Sequence, residues 1–179
     1  MISLYARYTY PKDKYGNIVV PITDDILFKC TKRAIGLGSL RDSIREGSGN
    51  LAGYIGQEAV ERAIYGVIRE DTFDYDAKID GYRLEIKTKD RTVLPNPDYE
   101  CSVANTSFHQ QADYYIFVSL LRHDKLYARA YILGYIPVHD YHTKARFVKK
   151  GDVDTSNNFT AHADCWNLKA SDLTEICHI

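Results

Sequence analysis

Phe73-Asp74-Tyr75-Asp76-Ala77-Lys78-Ile79-Asp80-Gly81-Tyr82-Arg83-Leu84-Glu85-Ile86-Lys87-Thr88 is the stretch whose reading decides the fold. Asp-Gly between two alternating runs signals a tight hairpin, because a type I′ turn needs positive φ at both central residues. With Asp80 and Gly81 as the turn, Ile79 pairs with Tyr82. Counting outward then sets Asp76 opposite Glu85 and Asp74 opposite Lys87. Side chains alternate along a strand, so Tyr75, Ala77, Ile79, Tyr82, Leu84 and Ile86 share one face, and Asp74, Asp76, Lys78, Arg83, Glu85 and Lys87 share the other. One face reads as core and the other as charged.

Two carboxylates opposed on a sheet repel each other unless positive charge lies between them. A hard divalent cation, Mg²⁺ or Mn²⁺, meets that need: Asp76, Glu85 and the carbonyl of Ile86 can supply oxygen ligands, with other positions left to water and phosphate. Such an ion serves phosphodiester hydrolysis by activating water and stabilising the added negative charge. Lys87, two residues after Glu85 on the same face, is placed to orient the water or neutralise the transition state. The same spacing also fits a salt-bridged sheet surface in which Asp74 pairs with Lys87.

Outward from the hairpin, residues 2 to 22 read as a strand pair broken at Tyr15-Gly16-Asn17. Residues 23 to 46 read as mostly helical, capped at Thr23/Asp24 and interrupted by Gly36 and Gly38. Glycines at 47, 49, 53 and 56 read as a loop. It leads into a helix striped by Ala59, Val60, Ala63, Ile64, Val67 and Ile68 and ending near Glu70. On the other side, Pro95-Asn96-Pro97 marks a loop, and a short helix is expected over residues 105 to 112. Residues 114 to 121 are a near-continuous apolar run, as in a central strand covered on both sides. Arg122-His123-Asp124-Lys125 turns the chain into a further strand, residues 126 to 133. Residues 138 to 150 read as helical, and 166 to 176 carry no assignment.

The 179 residues, 45% hydrophobic and 26% charged, suit one domain spanning 1–179. The absence of a long apolar run and of a signal-like start leads to the expectation of a soluble, cytoplasmic protein without membrane contact. The four cysteines are irregularly spaced, which fits reduced thiols. His162 with Cys165, and Cys177 with His178, lack the CxxC pairs of a zinc site. A net charge of −1 argues against a protein that coats nucleic acid, yet Arg83, Lys87, Lys89 and Arg91 form a local basic cluster, as do Lys144, Arg146, Lys149 and Lys150.

Asp76 through Lys87 reads as D-x8-E-x-K across a hairpin, which resembles the core signature of the PD-(D/E)XK nuclease superfamily. The order around it is similar as well. A helix after Gly53-Tyr54-Ile55-Gly56-Gln57-Glu58 precedes it, and Gln110-Gln111-Ala112-Asp113-Tyr114-Tyr115 leads into the buried strand. Gln110/Tyr114 and Gln111/Tyr115 both satisfy the Q-x-x-x-Y of a RecB-like subset. The resemblance covers roughly residues 50 to 121 and implies an α/β fold with a restriction-endonuclease-like core, a central mixed β-sheet flanked by helices, over about 50–135.

It further implies a DNA-cutting, Mg²⁺- or Mn²⁺-dependent hydrolase, read here as an endonuclease, with Asp76, Glu85, Lys87 and Glu58 as catalytic candidates. Asp76, Glu85 and Ile86 are the metal ligands, and Lys89, Arg91, Gln110 and Gln111 the substrate contacts. Relatives often carry Glu directly after the second glycine, where this chain has Gln57. By helical phase Glu58 points away from the apolar stripe, and a solvated first-turn carboxylate is its competing reading. Gln110 and Gln111 equally suit a helix surface. An exonuclease, an inactive nuclease-fold module for nucleic-acid binding or assembly, a homodimer, and a phage source with action in the host cytoplasm are the alternatives that remain open.

Overall fold

Asp80 and Gly81 adopt φ of 48° and 83°, the left-handed pair that a type I′ turn demands. The hairpin register follows from it: Ile79 pairs with Tyr82, Lys78 with Arg83 and Ala77 with Leu84. This computed structural model describes residues 2–36, 48–124, 126–154 and 159–178.

In chain order the strands are β1 (Tyr5–Ala6), β2 (Ile18–Pro21), β3 (Ile68–Arg69), β4 (Ala77–Ile79), β5 (Tyr82–Arg91), β6 (Glu100–Ala104) and β7 (Tyr114–His123). They continue as β8 (Leu126–Pro137), β9 (Arg146–Val148), β10 (Val153–Asp154), β11 (Phe159–Thr160), β12 (Cys165–Lys169) and β13 (Cys177–His178). The helices are α1 (Asp24–Gly36), α2 (Ser48–Ala63) and α3 (Val138–Lys144). Among the described residues no helix is long and apolar enough to cross a membrane.

The main sheet has the order β2-β8-β7-β5-β4-β3. Only β5 and β7 run parallel and the other pairs are antiparallel, so the fold is mixed α/β. The apolar run at 114–121 becomes the centre, with residues 114 to 121 all buried. On one face α2 lays Ile55, Ala59, Val60 and Ala63 against Leu84, Ile86, Ile116 and Val118. On the other, Tyr115, Phe117 and Ile136 pack with Tyr141 of α3 and with Cys101, Val103 and Leu168. That second layer is mainly a small antiparallel sheet, β6-β12-β9, and not the helical layer expected from the sequence.

Several boundaries differ from the sequence reading. Gly49, Gly53 and Gly56 lie inside α2 and not in a loop, and α2 ends at Ala63, with Val67 and Ile68 beyond it. Gly56 has a packing reason: a Cβ there would collide with the Thr88 side chain, so glycine lets α2 approach β5. Gly66, at φ 74°, turns the chain out of the helix into β3.

The segment 2–22 folds back on itself only at a short antiparallel bridge, Lys12↔Ile18; its longer pairings lie elsewhere, β1 with β13 in parallel and β2 with β8. Its turn at Tyr15-Gly16-Asn17 forms under Asp13, whose Oδ1 accepts the N–H groups of Tyr15 and Asn17. The expected helix at 105–112 is a 3-10 segment, Asn105–His109, and helical structure in 138–150 stops at Lys144, where β9 begins shortly after. The unassigned stretch from 166 contributes to β12. Gly38 and residues up to 47 lie outside the described residues.

Candidate active site

Regular pairing of β4 with β5 ends at Ala77↔Leu84, so Asp76 does not stand opposite Glu85 as a ladder partner. Its N–H donates to Leu84 O at 2.9 Å, and its side chain bends into the sheet plane, where Oδ2 accepts the N–H of Ile86 at 2.7 Å. A carboxylate thereby takes the place of the next strand carbonyl. The N–H and C=O of one strand residue point to the same side, so the Ile86 carbonyl also faces the edge that β4 has vacated.

Glu85 is 7% exposed, on the face of β5 opposite Leu84 and Ile86. Its Oε1 accepts from Lys87 Nζ at 2.8 Å and from Gln110 Nε2 at 3.0 Å. Lys87 Nζ also donates to Gln110 Oε1 at 2.9 Å and lies 5.9 Å from the centre of the Tyr115 ring. Glu85, Lys87 and Gln110 thus close a three-membered ring of polar contacts. Lys87 is bonded to Glu85 and Gln110 and not to Asp74, which does not line the groove.

Gln57 reaches Asp76 from α2, its Nε2 donating to Oδ1 at 2.6 Å. Arg33 of α1 donates to Gln57 Oε1 at 3.2 Å and to both carboxylate oxygens of Asp71 at 2.8 Å, and it lies over the Tyr54 ring. Gln57 was not among the sequence candidates. The signal for it was available in helical spacing, since Gly53, Gly56 and Gln57 fall at i, i+3 and i+4 on the face turned toward β5.

Burial, and then the negative charge of Glu85, push the Asp76 carboxyl up to about 7, against the stabilising N–H of Ile86 and charge of Lys87. One ammonium does not neutralise two carboxylates, one buried and one half-buried. The residues present therefore fit a hard cation: two carboxylates under mutual repulsion, with a backbone carbonyl facing the same vacated edge. Among the described residues no group of three or more His, Cys, Asp and Glu side chains is arranged to hold a metal ion. A cation here would complete its shell from the carbonyl, water or a phosphate oxygen.

Asp76, Glu85, Ile86, Lys87, Lys89, Arg91 and Gln110 all line one groove of about 1740 Å³ between β5, α2 and the small sheet. Lys89 donates to Ser102 Oγ at 3.1 Å and Arg91 to the Glu100 carbonyl at 2.9 Å. Two candidates lie apart. Gln111 Oε1 is 3.5 Å from Arg83 Nη1 and does not line the groove.

Glu58 also does not line it. Mid-helix and 2% exposed, it is neither solvated nor in the first turn of α2, and it is bound by Lys29, Arg62 and Arg69. Burial would raise its pKa, but the hydrogen bonds of Lys29, Arg69 and Arg62 outweigh burial and hold it down to about 2. No protein-family model matches the chain, and no curated protein sequence matches it.

Proposed function

We propose that the protein is a metal-dependent deoxyribonuclease of the PD-(D/E)XK type, an endonuclease acting in the cytoplasm on phosphodiester bonds. The observation that carries this reading is the under-neutralised carboxylate pair, half-buried Asp76 and buried Glu85, beside an ammonium on the wall of an open groove. Bound Mg²⁺ or Mn²⁺ would supply Lewis-acid stabilisation and an activated water.

The protein's own groups do the positioning. Gln57 and the Ile86 N–H fix the two oxygens of Asp76, so its direction is set before any substrate arrives. Glu85 and Gln110 hold the Lys87 ammonium at the groove wall, where it can donate to a phosphate oxygen as negative charge grows. The partial burial of Lys87 and Glu85 strengthens that interaction by excluding water.

Plasmid, linear duplex and single-stranded DNA incubated with Mg²⁺ or Mn²⁺ test the reading, with Lys87→Ala beside the wild type. Cleavage of at least one of these DNAs by the wild type and a loss of about a hundredfold or more in Lys87→Ala are expected. Equal products from both proteins, or none from the wild type with either ion, would remove the reading.

A further inference from the structure

β5 carries more positive charge than the carboxylate pair engages. Residues 85, 87, 89 and 91 alternate onto one face, so beyond Lys87 the same groove receives Lys89 and Arg91. Lys89 bonds to the Ser102 hydroxyl and Arg91 to a carbonyl, with the guanidinium 3.9 Å from the centre of the Tyr99 ring. Neither makes an ion pair among the described residues. The acids on the facing wall are engaged: Glu100 bonds Arg146 at 3.0 Å and Asn167, Asp98 bonds Lys169 at 2.9 Å, and Asp152 accepts the N–H of Lys149 at 2.9 Å.

Positive groups in such a cleft carry a desolvation cost that an anion would relieve. Burial, and for Lys89 also the charge of Arg91, pulls both below their ordinary pKa values. A second observation points the same way. Ser119, paired with Lys89 across the parallel β5–β7 ladder, is 1% exposed and lines the groove, and its Oγ has no hydrogen-bond partner. The Nε of Arg91 is likewise buried without a partner. The cluster is rich in unused donors, which suits a ligand that only accepts.

Resting on the nuclease reading above, we propose that Lys89, Arg91, Ser102 and Ser119 form a backbone-phosphate subsite for a single DNA strand. Residues two apart on a strand are about 7 Å from each other, so a chain lying along β5 meets Lys87, Lys89 and Arg91 in turn. A duplex carries its phosphates on a stiff cylinder and reaches side chains that project outward. Lys89 and Arg91 are instead half-buried in a cleft walled by β6 and β12, a setting that a flexible single strand follows more readily than a stiff duplex. The subsite therefore selects a strand freed from its complement and leads its backbone toward Asp76 and Glu85.

Fluorescence anisotropy of the full chain in EDTA tests this without cleavage, using a short labelled single strand, the same sequence as a blunt duplex, and inorganic phosphate as competitor. The single strand binds about tenfold tighter than the duplex, and Lys89→Met weakens it about tenfold, the size of a lost charge-assisted hydrogen bond. The same variant lowers the slope of log K against log salt by about 0.7, and Ser119→Ala weakens binding about threefold. Lys89→Met melts no lower than the wild type, since it removes a half-buried charge that has no ion-pair partner among the described residues; if it fails to fold, Ser119→Ala carries the test.

Tighter binding of the duplex, unchanged affinity in both variants, or displacement of the strand by phosphate at concentrations matching the strand's own Kd would overturn the proposal. A protein that binds single strands in this way yet cuts no DNA with Mg²⁺ or Mn²⁺ keeps the subsite and loses the nuclease reading. One that cuts DNA while both variants bind as the wild type loses the subsite alone.

Discussion

Glu58 is a buried carboxylate and Asp76 a half-buried one, and their surroundings act on them in opposite directions. Three cations surround Glu58, and their hydrogen bonds overcome burial to hold it down to about 2. Asp76 receives two neutral N–H donors and faces a second carboxylate, so burial and repulsion drive it up to about 7. The ion-pair needs of Glu58 are met within the fold, where it ties α1, α2 and β3 together. Among the described residues, Asp76 and Glu85 have between them the single ammonium of Lys87, which bonds Glu85. Burial of an acid thus does not by itself mark a reactive site; what distinguishes the two is whether the protein supplies the compensating charge.

The largest expected effect is on the Glu58 side. Glu58→Gln leaves Lys29, Arg62 and Arg69 around a neutral amide and should cost about 3–5 kcal/mol in denaturant unfolding. Glu85→Gln, which relieves repulsion, should leave the metal-free protein no less stable than the wild type. If Glu58→Gln unfolds at the wild-type midpoint while Glu85→Gln is clearly destabilised, the roles assigned to the two acids are reversed.

A smaller effect, on the order of 2 kcal/mol, separates the two acids by pH. The folded pKa of Glu58 is depressed, so its contribution is present above about 4.5 and is lost as pH falls toward about 2. Asp76 has a raised folded pKa. Its protonated form favours the fold below about 4, and that advantage disappears as pH rises through about 7. Metal-free wild type should therefore lose stability on both sides, and Asp76→Asn should flatten only the neutral side. Mn²⁺ should restore wild-type stability above pH 7 and leave Asp76→Asn unchanged. Urea midpoints at several pH values, with EDTA or Mn²⁺, read both limbs; a neutral limb that survives in Asp76→Asn would assign it to another group.

What was legible in the sequence was local. The Asp80-Gly81 turn fixes φ within two residues, and pairing through Ala77↔Leu84 follows by counting. The central position of β7 was readable from its unbroken apolar run. The helix glycines were misread because their reason is tertiary: Gly56 answers to Thr88, more than thirty residues later in the chain. Starting the helix too late also hid the phase that brings Gln57, one residue before Glu58, to Asp76. The small sheet was invisible for a related reason. Glu100 pairs with Lys169, and such long-range pairing leaves little local trace in short mixed-polarity segments.

The smallest effect tests how far the hairpin count extends beyond its last ladder pair. Continued regularly, it would set Asp74 against Lys87 and make the two an ion pair. The chain instead bends at Asp76, whose own side chain bonds Ile86 N–H, and Lys87 is held by Glu85 and Gln110. Asp74 does not line the groove. Asp74→Asn should therefore change metal-dependent cleavage by about threefold or less, the range of a solvent-screened charge, whereas Asp76→Asn should lower it about a hundredfold or more. Asp80→Asn serves as the control on the turn, because asparagine tolerates the positive φ that Asp80 adopts and both stability and cleavage should stay close to wild type. If Asp74→Asn instead matched Asp76→Asn in kcat with the fold intact by circular dichroism, Asp74 would be a ligand and the bend at Asp76 would straighten when the ion binds. The contrast between an acid served by its own fold and one awaiting a cation would then include Asp74 on the second side.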